Sequence, residues 1–236
     1  MAKANRKQDK KSSAKAIENP EVIADNISKF EQYLEKNRKL VLIVGGIIAV
    51  AIIGFFLYQY YTKNQNKIAQ REMFQAQYYF DADSLGLALN GDGNNFGFLE
   101  IIEDYPLTEA ANLSHYYAGV SFLKLGQFEQ AIEHLEKFSS SDYVIQARAY
   151  VLIGDAYMEQ ENYEQAANFY DKAARYKPND FFTPNYLMKE ALAHEMTGEF
   201  KAAAESYETI VDEYPESTQI QEAKKQLQRL RVLSSR

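Results

Sequence analysis

Three stretches in the C-terminal half repeat the same residue types at the same spacing, and this periodicity constrains the fold more than any other feature of the chain. Gly119, Phe122, Gly126, Phe128, Ala131 and Leu135 align with Gly154, Tyr157, Glu161, Tyr163, Ala166 and Tyr170 at an offset of 35. The positions recur at Ala191, His194, Gly198, Phe200, Ala203 and Tyr207, a further offset of 37. A period in this range means stacked units, none of which can bury its hydrophobic face alone. Each unit reads as a helix, a short turn (KLGQF, EQENY or MTGEF) and a second helix, and Pro178 and Pro215 each close a unit twelve residues after its alanine.

Small residues let paired helices approach closely, and aromatic rings fill the space between one pair and the next. Packing therefore accounts for most of the 18 Tyr and 14 Phe, and the aromatic stripe is core rather than a cofactor surface. The pattern resembles the tetratricopeptide repeat: a small residue at the eighth position, an aromatic at the eleventh, Ala at the twentieth, a bulky residue at the twenty-fourth and Pro at the thirty-second. The second unit matches nearly throughout. The first has Tyr143 where the proline belongs, the third has His194 at the eleventh position, and His115, Tyr150 and Leu187 replace the usual Trp at the fourth.

Upstream, FLEIIEDYPLTEAA echoes YETIVDEYPESTQI, which predicts a degenerate unit from Ile68 to Pro106 whose turn is swollen to LALNGDGNNF. In that loop Asn90, Asp92 and Asn94 imitate a calcium loop, but Asn95 stands where Gly is required and Ile101 where Glu belongs, so a flexible loop is expected. Ser217 is expected to cap a last helix whose polar face, Lys224, Lys225, Gln228 and Arg229, shields the end of the stack.

A second feature lies before the repeats. Leu40 to Tyr58, LVLIVGGIIAVAIIGFFLY, holds no charge over 19 residues, which roughly spans a hydrocarbon core of about 30 Å at about 1.5 Å per residue. Lys36, Arg38 and Lys39 precede it, and Tyr58, Tyr60 and Tyr61 follow, as interfacial anchors do. A cleavable signal peptide has a shorter apolar region near the N-terminus and a small-residue cleavage site; FFLYQYY is none of these, so the segment reads as an uncleaved signal anchor. The tail before it carries ten Lys/Arg against six Asp/Glu, which predicts a cytoplasmic N-terminus. Gly45 and Ala49, four apart, form a small-residue stripe that a second membrane helix could contact.

Residues 1–18 are basic and poor in apolar groups and are expected to be disordered. From 19 to 39 the pattern becomes helical: Asn19 can cap, Pro20 suits the first helical position, and Ile23, Ile27, Phe30 and Leu34 fall on one face. That stripe is a docking face for lipid headgroups or for a partner, and the sequence does not choose between them.

The acidic balance of the chain, −7 overall, excludes a nucleic-acid role for the large domain, because no Lys/Arg cluster exists there to release counterions. With no cysteine there is no disulfide, thiolate nucleophile, Cys-ligated zinc or lipoprotein anchor on a lipidated Cys. His115, His134 and His194 occupy different repeat positions and are expected to lie apart. No zincin, nucleophile-elbow or phosphate-loop motif occurs, and Glu133 and Glu136 lie on a polar helix face, so neither an enzyme nor a cofactor nor a small-molecule substrate is expected.

The remaining candidate site is implied by the repeat resemblance. Carried over position by position, the concave groove is lined by Leu113, Tyr116, Val120 and Leu123, then Arg148, Val151, Asp155 and Met158, then Asn185, Met188, Leu192 and Glu195. Tyr116 and Val120 stand where a clamp for a C-terminal carboxylate would need Lys and Asn, so that mode is not expected.

The predicted fold is all-α: a single N-terminal transmembrane helix at 40–60, a juxtamembrane helix and degenerate repeat at 61–106, then an α-solenoid of tetratricopeptide repeats with a C-terminal capping helix at 107–236, three to four repeats in all. This layout, with its basic tail, resembles the YfgM-like family of bacterial inner-membrane proteins. The resemblance implies an ancillary subunit of the Sec translocon, anchored in the inner membrane with its repeats in the periplasm. Its partners would be a PpiD-like membrane-anchored chaperone and secreted polypeptides. The long tail helix departs from the family pattern. A different class of function, an envelope-assembly or signalling scaffold that grips one dedicated protein, fits the same residues.

Overall fold

The structure is a computed structural model that describes residues 20–234; the tail at 1–18, the Asn19 cap and the side chain of Ile23 lie outside the described residues. Among the described residues all regular structure is helical. The elements are α1 (Pro20–Lys36), α2 (Arg38–Asp81), α3 (Leu85–Asn90), α4 (Phe98–Asp104), α5 (Glu109–Lys124), α6 (Phe128–Lys137), α7 (Tyr143–Glu159), α8 (Tyr163–Arg175), α9 (Thr183–Thr197), α10 (Phe200–Glu213) and α11 (Ile220–Ser234). The chain divides into two compact units, Met1–Tyr61 and Thr62–Arg236.

In the first unit α1 stops at Lys36, three residues short of the expected end at 39. Asn37 separates it from the next helix, its Nδ2 donating at 2.9 Å to the Tyr33 carbonyl that its own backbone N–H also meets at 3.0 Å. Such local bonding is what makes Asn a poor interior helix residue. Of the predicted docking face, Ile27 and Phe30 are 53% and 61% exposed, and Leu34 is half-buried. The helix α2 contains an 18-residue window of mean hydropathy 3.0, none of it buried, long and apolar enough to cross a membrane. Gly45 and Ala49 are exposed within it.

The second unit begins with the end of α2. Ala69, Met73 and Ala76, spaced to share one helical face, are buried against Ala88, Leu89, Phe98 and Ile101. The swollen turn is not featureless: its LALN residues form most of α3. The loop that follows is also not loose, contrary to expectation. The Asp92 carboxylate accepts from the backbone N–H groups of Asn94 and Asn95 at 2.8 and 2.7 Å and from the Tyr79 hydroxyl at 2.7 Å. These donors, Tyr79 first, hold its pKa well below the carboxylate range.

The helix pairs α5–α6, α7–α8 and α9–α10 then pack in chain order, each against the next, and α11 closes the stack. The eighth and twenty-fourth repeat positions meet inside the first two pairs. A Cβ on Gly119 would lie 2.5 Å from Leu135 Cγ, and one on Gly154 would lie 2.6 Å from Tyr170 Cε1. Ala131, Ala166 and Ala203 are each 0% exposed. The turn within each pair passes through the left-handed region at one equivalent position: Gly126 (φ 73°), Glu161 (φ 58°) and Gly198 (φ 80°).

The helix starts are capped where the side chains suit. The Thr108 hydroxyl accepts from Ala111 N at 3.1 Å, and Asp142 Oδ1 accepts from Val144 N and Ile145 N at 2.8 and 3.1 Å. Ser217 does not cap the last helix. That helix begins three residues later, at Ile220, and the Ser217 hydroxyl is buried without a partner. The apolar face of α11, Ala223, Leu227 and Leu230, is buried in the last core cluster, while Lys224, Lys225 and Gln228 face solvent.

Candidate functional site: a groove along the first helices

Two adjoining cavities form along α7 and α9. One, of about 560 Å³, is lined among others by Val144, Arg148, Val151, Asp155, Phe181 and Asn185. The other, of about 550 Å³, includes Leu123, Phe128, Met158, Tyr170 and Leu192, and shares Asp155 and Lys189 with the first.

Asp155 anchors this region. Its Oδ1 accepts from the Tyr170 hydroxyl at 2.6 Å and from Lys189 Nζ at 2.8 Å. Burial, followed by the Asp155 charge, pushes the tyrosine pKa far up, so its hydroxyl stays protonated as donor. Lys189 also lies 5.5 Å over the Tyr170 ring. One carboxylate thus joins α7, α8 and α9 and fixes the floor of the groove.

A similar set recurs one unit later with a different outcome. Glu195 Oε1 accepts from the Tyr207 hydroxyl at 2.9 Å, and its other oxygen pairs with Arg229 of α11. Glu195 is thereby occupied in seating the capping helix. Arg231 adds a second pair to Glu208 at 3.1 Å, so the last helix is held by charge as well as by its apolar face.

The predicted groove residues therefore divide. Arg148, Val151, Asp155, Met158, Asn185, Leu192 and Leu123 line the cavities. Tyr116 is only 8% exposed, its ring packed 5.2 Å from that of Phe138. Leu113 and Val120 are half-buried against the neighbouring core, and so is Met188. The Tyr116 ring is covered from within its own pair, by Phe138 at the end of α6.

Lys189, Phe181, Phe182 and Tyr186 also line the first cavity, although no groove position carried over from the repeat pattern falls on them. A signal for Lys189 existed, because it occupies the register position held by Tyr117 and Leu152 in the earlier units. A charge at an otherwise apolar repeat position points to a local partner, and that partner is Asp155.

The histidines correct a second expectation. His115 and His134 are not apart: their Nδ1 atoms lie 3.1 Å from one another. Different repeat positions still meet when one is on the first helix and the other on the second helix of the same pair. His194 stands elsewhere, its Nδ1 2.8 Å from Glu199 Oε2 and its Nε2 3.8 Å from Glu190 Oε1. Among the described residues no cluster of three or more metal-ligating side chains occurs.

The stacked pairs and their edge groove define a helical-repeat scaffold. Residues 116–181 match one family model and residues 186–217 a second, both described as tetratricopeptide repeat. These residues are tetratricopeptide repeats, a class of protein-interaction scaffold that generally carries no catalysis. No curated protein matches the chain.

Proposed function

We propose that the chain is a non-enzymatic, membrane-anchored adaptor, an ancillary subunit of the bacterial Sec translocon whose groove engages a periplasmic chaperone or an emerging secreted polypeptide. The observation that carries the reading is the groove itself. Apolar and aromatic surface lies beside fixed charge at Asp155 and Lys189 on a tetratricopeptide-repeat stack, which suits segments of a protein chain. The uncharged, unburied window of α2 supports the anchor, and the Lys/Arg excess of the tail supports a cytoplasmic N-terminus.

Co-purification in mild detergent tests the reading: translocon and chaperone components accompany the full chain. Recovery of neither sinks it, and a pull-down dominated by one unrelated envelope protein replaces it with a dedicated scaffold. Protease added to spheroplasts is expected to digest the repeats from outside.

A further inference from the structure

The His115–His134 pair is not required by the packing of its repeat. At the equivalent positions the second unit has Tyr150 and Phe169, and the third has Leu187 and Ser206. Only the first unit places two imidazoles there, on α5 and α6, with their Nδ1 atoms 3.1 Å apart, their ring centroids 5.1 Å apart and the planes tilted by 42°.

Two nitrogens 3.1 Å apart, each at an imidazole–metal distance of about 2.05 Å, subtend about 98° at a common ion. That angle lies between the square-planar and tetrahedral values, and both geometries are used by first-row divalent ions with imidazole ligands. We propose that His115 and His134 form a two-histidine site for a divalent transition-metal ion, zinc or copper, whose remaining positions are filled by water.

In the Nδ1···Nδ1 contact one ring donates and the other accepts, so the donor ring must move its proton from Nδ1 to Nε2 before both nitrogens can face one ion. Both rings are half-buried, and the Phe122 ring lies 5.3 Å from that of His134. Glu133 precedes His134 in the same helix and pairs with Lys137 at 2.7 Å, which leaves little net charge to repel a cation.

The chain has no cysteine and three histidines, so the test is clean. Untagged full chain in detergent is titrated with Zn²⁺ by calorimetry and with Cu²⁺ by electron paramagnetic resonance. Expected are one ion per chain, nitrogen hyperfine splitting from two imidazoles, and at least tenfold weaker binding in His115→Asn and in His134→Asn, with His194→Asn unchanged. The melting temperature of each variant is measured in parallel. If a variant unfolds, the splitting pattern of the wild-type copper complex decides. Binding that survives both substitutions, a single-nitrogen spectrum, or no binding at all overturns the proposal and leaves the pair as a hydrogen bond between two neutral rings.

Discussion

The Tyr170 hydroxyl donates to Asp155 Oδ1 at 2.6 Å, and the same ring fills the space that a side chain on Gly154 would need, 2.6 Å from its Cε1. The two relationships reinforce each other. A ring tethered at its hydroxyl cannot swing aside, so the bare Cα of Gly154 is what lets α7 and α8 approach.

Gly154→Ala is therefore expected to destabilise the repeat domain by about 1–3 kcal/mol, the usual cost of overpacking. Tyr170→Phe, which keeps the ring and loses the donor, costs about 1 kcal/mol, because Asp155 retains Lys189. In the double variant the freed ring yields more easily, so the two losses are not additive. Chemical denaturation of the four proteins measures this cycle, and strict additivity would contradict the tether.

At the turn between α7 and α8, Glu161 holds φ 58° where Gly126 and Gly198 stand in the neighbouring units. A side chain in the left-handed region costs about 1 kcal/mol, so Glu161→Gly is expected to raise stability by about that amount and Gly198→Ala to lower it similarly. Opposite shifts in melting temperature check the pair.

Much of this was legible beforehand because a solenoid is nearly one-dimensional: the alignment of Gly119, Gly154 and Ala191 already states which residues face the partner helix. What it leaves out is contact between different positions. His115 and His134 meet across one pair, Lys189 reaches back to Asp155, and Glu195 is claimed by Arg229 of the last helix. Each depends on which side chain the adjacent helix presents, and that cannot be read from position alone. Ser217 failed as a cap for a related reason: the chain makes a further turn, through the Ile220 N–H to the Ser217 carbonyl at 3.3 Å, before the helix starts.

Phe181 lines the first cavity yet is 79% exposed, an aromatic ring that contributes little to the fold. Phe181→Ser is expected to change stability by less than about 0.5 kcal/mol while reducing partner recovery severalfold in the detergent pull-down. Undiminished recovery would move the binding surface away from this groove.

Glu190 is the most exposed to pH of the buried groups. It is 9% exposed on α9, its Oε2 has no partner, and its neighbours are Asp171, His194, Arg175 and Ser206. Burial first, and Asp171 second, raise its pKa from the ordinary 4.5 to about 7. The folded state thus holds this proton more tightly than the unfolded chain does. The resulting stability is complete below about pH 4.5 and is lost as pH rises through about 7. Glu190→Gln carries no charge to bury, so it is expected to match the wild type near pH 5 and to exceed it near pH 8 by on the order of 2 kcal/mol. Thermal unfolding at the two pH values measures the difference. A constant difference would mean that the ionised carboxylate is held by a cation, and Arg175 is the permanent charge among its neighbours.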